Sequence, residues 1–327
     1  MQYDCHSDYF ISSFWLIFGL TSIVFFLPLL FVLLLRSLKN VVKFPLSDIA
    51  LFSRVPKAIR DEFNAEFVRK PVGYLRLRDF AYVKNILFNS GLRPYFIFRS
   101  IWKLAVYSEL IDIYQPKRIW VTQEMVFESS LLTSYLADFD VEHNNFMHGD
   151  NYFSIQVAFS TFTNFYVWDP YYVDLFTSLH CESKNFIVFY ALERSTSLLP
   201  QRKLVKYYCQ DSKNVQVFKT ILKNLKNFSV SKQCELVVRL HPLHKKQFEI
   251  ETLKEKGIPL EENTVDPIDS ILESEYVCSE FSAVLYQASL LNRKIVIDNT
   301  FPERLELIKD LDPIFLTKLP HEFLVTS

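Results

Sequence analysis

Between residues 118 and 298, short runs rich in β-branched and aromatic side chains alternate with longer stretches of helical period, and this alternation restricts the fold more than any other feature of the chain. A strand is expected at "RIWVT" (118–122), a helix over 124–139, a strand at "VEHNNFM" (141–147), a turn at His148, Gly149 and Asp150, a further helix, and a strand at "FYVW" (165–168). A second series starts at "NFIVFYAL" (185–192), passes through a helix over 215–227 and reaches the strand "CELVVRL" (234–240). It continues with a helix over 245–256, the strand "YVC" (276–278), a helix over 282–292 and the strand "KIVID" (294–298). Strands separated by helices pair in parallel, because a parallel pair needs a crossover long enough to hold a helix. Two such series predict an α/β protein of two Rossmann-like, doubly wound domains, 44–180 and 181–327, with the seam within 168–184. From 44 to 109 the pattern is helical, with basic and aromatic residues interleaved. These helices read as packing on a core; the alternative is that they lie on an anionic membrane surface through Arg76, Arg78, Arg93 and Arg99.

Ahead of this part stands "FWLIFGLTSIVFFLPLLFVLLL" (14–35), which holds no charge and as a helix spans about 33 Å. It is longer than the apolar region of a signal peptide, and neither a basic run before it nor a small-residue cleavage site after it is present. Residues 1–43 are therefore expected to form a single-pass transmembrane anchor with its basic flank. Asp4 and Asp8 precede the span while Arg36, Lys39 and Lys43 follow it, which places the rest of the chain on the cytoplasmic side of an inner membrane.

With 36 basic and 37 acidic residues the chain has no bulk field to attract nucleic acid, so any anion must be bound locally. Cys5, Cys181, Cys209, Cys234 and Cys278 are odd in number and form no CxxC pair, which suits reduced core thiols rather than a disulfide framework or a zinc site. Only 5 glycines are present, and neither GxGxxG nor GxxxxGK[ST] occurs, so no glycine-rich loop is available to cradle phosphates.

Open parallel sheets bind ligands beyond the carboxyl ends of their strands. Three such loops carry chemistry. In "VVRLHPLH" (237–244), Arg239 offers a rigid fork and His241 a titratable donor, Pro242 suits the first turn of a helix, and His244 and Lys245 add positive character. The reading is a phosphate site; the alternative is a structural histidine at a strand end. In "EYVCSEFSAVLYQASLLNRKIVID" (275–298), Ser279 and Ser282 stand where a strand feeds a helix, either as caps or as further phosphate donors on the same edge. In "FMHGD" (146–150), His148 beside Asp150 is equipped to take a proton from a hydroxyl near neutral pH, or is simply a self-bonded turn. Glu124 and Glu128 are the other carboxylates available for that role. Glu261 or Glu262, after "GIPL", is placed to bind a ribose. No DxD triplet, the carboxylate set that would hold a divalent ion, sits at a strand-to-loop junction.

The succession "WVTQEMVFESSLLTSYL", "NNFMHGDNYFS", "FYVWDPYYVDLF", "ELVVRLHP" and "CSEFSAVLYQASLLNRKIVID", over roughly residues 115–300, resembles bacterial surface-polysaccharide glycosyltransferases of the GT-B architecture. The nearest groups are the capsule and lipooligosaccharide sialyltransferase-like enzymes and the CDP-glycerol glycerophosphotransferases. The resemblance implies an inverting, metal-independent transfer without a cofactor, from a nucleotide-activated donor held between the domains to a surface-glycan acceptor. In the sialyltransferases an HP motif and a downstream serine pair hold the donor phosphate, which maps onto His241, Pro242, Ser279 and Ser282. Their acidic base motif is replaced here by His148-Gly149-Asp150, closer to the HG element of the glycerophosphotransferases. Transfer of a polyol phosphate from a CDP carrier, or an inactive membrane-anchored scaffold of polysaccharide assembly, are the alternatives.

Overall fold

The computed structural model describes residues 41–51, 57–89, 93–147, 149, 151, 153–189, 202–210, 212–242, 246–311 and 313–325, with a few further positions in 28–38. The chain divides into two units, one comprising 1–148 and 156–189, the other 149–155 and 190–327. Each is a six-stranded sheet in which every pairing is parallel.

In the first unit the strands are β1 (Asp48–Ala50), β2 (Glu66–Phe67), β3 (Arg118–Val121), β4 (Glu142–Phe146), β5 (Asn164–Val167) and β6 (Asn185–Val188), in the order β2-β1-β3-β4-β5-β6. The crossovers carry α1 (Lys57–Glu62), α2 (Phe80–Asn89), α3 (Pro94–Tyr114), α4 (Ser129–Ala137) and α5 (Pro170–Ser178). Local chemistry starts and stops these helices. Asp169 caps α5 by accepting from the Tyr171 N–H at 2.8 Å, with Pro170 at the first helical position, and α3 ends where Gln115 turns left-handed at φ 47°. Buried aromatics pack on the two faces of β5: Phe165 meets Phe176 with ring centroids 4.5 Å apart, and Tyr166 meets Trp120 at 5.2 Å.

In the second unit the strands are β7 (Leu204–Cys209), β8 (Glu235–Leu240), β9 (Leu260–Glu261), β10 (Tyr276–Ser279), β11 (Lys294–Ile297) and β12 (His321–Phe323), in the order β12-β11-β10-β7-β8-β9. The helices are α6 (Val215–Ser231), α7 (Gln247–Glu255), α8 (Pro267–Glu273), α9 (Ala283–Leu290), α10 (Pro302–Lys309) and α11 (Ile314–Thr317). Successive strand residues point to opposite faces, and the two cores obey that period. Cys278 and Val296 join Phe218, Ile221, Leu222 and Leu225 of α6, whereas Val277, Ile295 and Ile297 join Leu285 and Ala288 of α9 and Leu305 of α10. Helices therefore cover both faces, as a doubly wound sheet requires.

Three expectations change. The strand at 185–188 is the edge strand of the first sheet, paired with β5, so it closes the first series rather than opening the second. The centre of the second sheet is β7, which was not anticipated. The stretch 44–109 contains β1 and β2 as well as helices. Among the described residues no helix is long and apolar enough to cross a membrane; most of the expected span 14–35 lies outside them.

Candidate functional site

The chain leaves β7 through β8 and β9 to one side and returns through β10, β11 and β12 on the other, so strand order reverses between β7 and β10. The carboxyl ends flanking that reversal are where an open α/β sheet opens a crevice to ligands. β10 ends on Ser279, and after Glu280 and Phe281 comes Ser282, the N-cap of α9, whose side chain accepts from the Val284 N–H at 3.4 Å. An accepting cap keeps its own hydroxyl proton for a ligand. No acidic residue occupies the first turn of α9, so its partial positive charge is not neutralised within the helix. Two strands from β10, beyond β7, β8 ends on Leu240 and His241 follows, partly buried.

Several expected ligands are otherwise engaged. Arg239 pairs with Glu261, its register neighbour on β9, at 3.0 Å and donates to the Val265 carbonyl at 2.8 Å. Glu261 also takes the fully buried Lys206 ammonium at 2.6 Å and the Ser270 hydroxyl at 2.5 Å. Arg239 and Glu261 thus balance one another within a buried ionic network, where a phosphate or ribose would have to displace a partner. Ser279 is fully buried and spends its hydroxyl proton on the Tyr208 carbonyl at 2.9 Å, across the β7–β10 ladder. Pro242 does not open a helix: α7 begins at Gln247, and its first turn is self-capped by Glu249, which accepts from the Lys246 N–H at 3.0 Å. A carboxylate already occupies the place the anion was expected to take. Glu262 is exposed after β9, accepting from the Thr264 hydroxyl at 3.4 Å. His244 and Lys245 lie outside the described residues.

Two further acids stand on this edge. Glu280, 4% exposed, pairs with Arg304 at 2.9 Å, and burial pushes its carboxyl up to about 7 although Arg304 opposes the shift. Asp298, just past β11, accepts from the Tyr207 hydroxyl at 2.9 Å and from the Thr300 N–H at 3.0 Å. A glutamate between two serines at a strand end was the visible signal for the first.

In the first unit, Glu124 is buried in the loop after β3, where Asn145 donates to it at 3.3 Å and holds the Gln123 N–H at 2.6 Å. Glu128 pairs with Arg99 of α3 at 2.9 Å. Both carboxylates stand at the carboxyl end of the sheet. His148 and Asp150 lie outside the described residues. Among the described residues no cluster of His, Cys, Asp or Glu is fit to hold a metal ion.

No family model and no curated protein matches the chain. Solved structures do. KpsC, the β-Kdo 2,4 transferase of Thermosulfurimonas dismutans, shares 13% identity with a TM-score of 0.25, covering 32% of this chain and 36% of its own. The UDP-N-acetylglucosamine 2-epimerase of Rickettsia bellii shares 14% with a TM-score of 0.46, covering 79% of each chain. The wall teichoic acid polymerase TagF shares 11% with a TM-score of 0.44, covering 67% of this chain and 62% of that one. The chain thus spans little more than a third of KpsC, and all three are likenesses at low identity.

Proposed function

We propose that the chain is a GT-B glycosyltransferase of surface-polysaccharide synthesis, moving a sugar from a nucleotide donor to a glycan acceptor by an inverting, metal-independent displacement. The observation that carries the reading is the strand-order reversal between β7 and β10, with the Ser282-capped start of α9 and His241 on the same carboxyl edge. The donor phosphate lies against the amino-terminal end of α9, with Ser282 and His241 donating to it; Arg239 and Ser279 are not in this set. Glu262 is the candidate for the ribose. Attack by the acceptor oxygen forms the new glycosidic bond as the bond from the anomeric carbon to the donor phosphate breaks. Charge gathers on the departing phosphate, where these donors stabilise it. The acceptor proton passes to His148, Asp150 or Glu124. No cofactor takes part, and the apolar segment 14–35 anchors the enzyme to the inner membrane with its catalytic part cytoplasmic.

A CMP-linked sialic acid is the first donor to test. The His148-Gly149 pair favours a second reading, attack on the phosphorus of a CDP-linked polyol, with the same loops holding the donor. Thermal unfolding of the full chain in detergent with CMP, UDP, GDP and CDP-glycerol separates these. A nucleotide at 100 times its Kd stabilises by about 2.7 kcal/mol. His241→Ala abolishes that shift, while His148→Ala keeps it and loses turnover. No shift with any nucleotide returns the chain to the scaffold alternative, and full turnover in His148→Ala moves the base to Glu124 or Asp150.

A further inference from the structure

Buried lysines in this protein come in two kinds. Lys206, fully buried in the second unit, is met by Glu261 at 2.6 Å, by Glu273 at 3.2 Å and by the Ser270 carbonyl at 2.9 Å. Lys103, 7% exposed on α3, has no ion-pair partner among the described residues, and its nearest charged neighbours include two more cations. Lys70 reaches the same place from the segment after β2, its ammonium over the ring of Trp102, the residue before Lys103, and Arg99 stands one helical turn away on the same face of α3. Glu128, a carboxylate acting on the group, is already taken by Arg99 at 2.9 Å. Among the described residues three cations face one carboxylate, which leaves two positive charges uncompensated. Burial first, and then the like charges, hold both lysines below the ordinary range, Lys103 at about 8.

Topology puts this cluster on the ligand-binding edge of the first sheet. The carboxyl end of α3 hands over to the amino end of β3, so Arg99 and Lys103, in its earlier turns, lie toward the strands' carboxyl ends. Lys70 follows the carboxyl end of β2, and Glu128 that of β3. Fixed packing holds the groups in place. The Lys70 ammonium sits 4.3 Å above the Trp102 ring, and the Arg99 guanidinium 4.8 Å from the Phe127 ring. In the loop after β3 that also carries Glu128, the buried Gln123 side-chain oxygen has no hydrogen-bond partner among the described residues.

We propose that Lys70 and Lys103, beside the Glu128-paired Arg99, form a binding site for the phosphoryl group of a phosphate ester, carried entirely by the first unit. A dianionic phosphate meets both uncompensated ammonium groups, whereas a carboxylate leaves one unmet. In the free protein the cluster is electrostatically frustrated, and the ligand completes it as Glu261 and Glu273 complete Lys206. The site is independent of the donor-binding reading, which lies in the second unit.

The test is pyrophosphate binding to the full chain in detergent, by calorimetry, in a His241→Ala background that silences the second unit. The expected result is binding that weakens tenfold or more in Lys103→Met and in Lys70→Met. Lys103→Met alone should also melt higher than the wild type without ligand, because a desolvated, unpaired charge is gone. Lys70 is only partly buried, so its variant reports on the site even if Lys103→Met does not fold. Competition by glycerol phosphate assigns the ester to a soluble ligand; preferential retention on phosphatidic acid vesicles over phosphatidylcholine vesicles, lost in Lys70→Met, assigns it to a lipid. Either supports the site. Pyrophosphate affinity unchanged in both lysine variants, or no pyrophosphate binding at all, overturns it.

Discussion

Gly73 holds φ at +99°, and a Cβ there would lie 2.8 Å from the Val106 backbone nitrogen and 2.9 Å from the Ala105 carbonyl carbon. The Gly73 N–H also donates to Glu109 at 2.8 Å, tying the segment after β2 to α3. Gly73→Ala is therefore strained and overpacked at once and should cost about 2–4 kcal/mol, read as a lower urea midpoint. At Glu261 the argument is electrostatic. Glu261→Gln keeps the shape but strips Lys206 of its 2.6 Å partner and Arg239 of its own at 3.0 Å. Lys206 keeps Glu273 at 3.2 Å, but the buried Arg239 is left without a carboxylate, which costs about 3–5 kcal/mol. If the variant unfolds at the wild-type denaturant midpoint, the network contributes nothing to stability and Arg239 becomes available to a ligand again.

At the scale of elements, the N-terminus of α9 has to serve as both cap and anion site, and two substitutions separate the roles. Ser282→Ala removes the side-chain acceptor and should cost about 1 kcal/mol, whereas Ser282→Gly costs a few tenths. Both delete the hydroxyl that the proposed function places on the donor phosphate, so both should weaken nucleotide binding alike, by calorimetry. Affinity that follows stability instead marks Ser282 as a cap only. The strands at 118–121, 142–146, 164–167, 235–240, 276–279 and 294–297 were legible because their apolar runs are bounded by turns. The central strand β7 was not: "LVKYYC" carries a lysine in mid-run, and only the distant Glu261 and Glu273 make it tolerable inside a sheet. β1 and β2, three and two residues long, are too short to show a period. β6 was legible as a strand but not as a member of the first sheet, since alternation alone does not say which neighbour a strand pairs with. At the site, His241 and Ser282 could be found from their position at strand ends. The withdrawal of Arg239 and Ser279 depended on partners 22 and 71 residues away.

Across the whole molecule, two buried titratable groups bend stability against pH in opposite senses, one in each unit. His143, fully buried in β4 between the Thr133 hydroxyl at 2.7 Å and the Tyr107 hydroxyl at 3.4 Å, is held down to about 3 by burial and by Lys103. Between about pH 3 and its unfolded value near 6.5, the unfolded chain binds the extra proton, so the first unit loses stability as pH falls. Glu280, held up to about 7, keeps its proton in the folded state down to its unfolded value near 4.5. In that window the folded chain binds the extra proton, and the second unit gains stability as pH falls. From pH 7 to pH 5 each effect amounts to roughly 2 kcal/mol, because one pKa unit is worth about 1.4 kcal/mol. A probe of the whole chain records little net change, since the terms oppose one another. Amide hydrogen exchange resolved by unit should show the first unit opening more readily at pH 5 than at pH 7 and the second less readily. His143→Asn removes the first trend without touching the second, and Glu280→Gln does the reverse. If both units respond to acid in the same sense and neither substitution alters the response, neither buried group governs the acid behaviour of its unit.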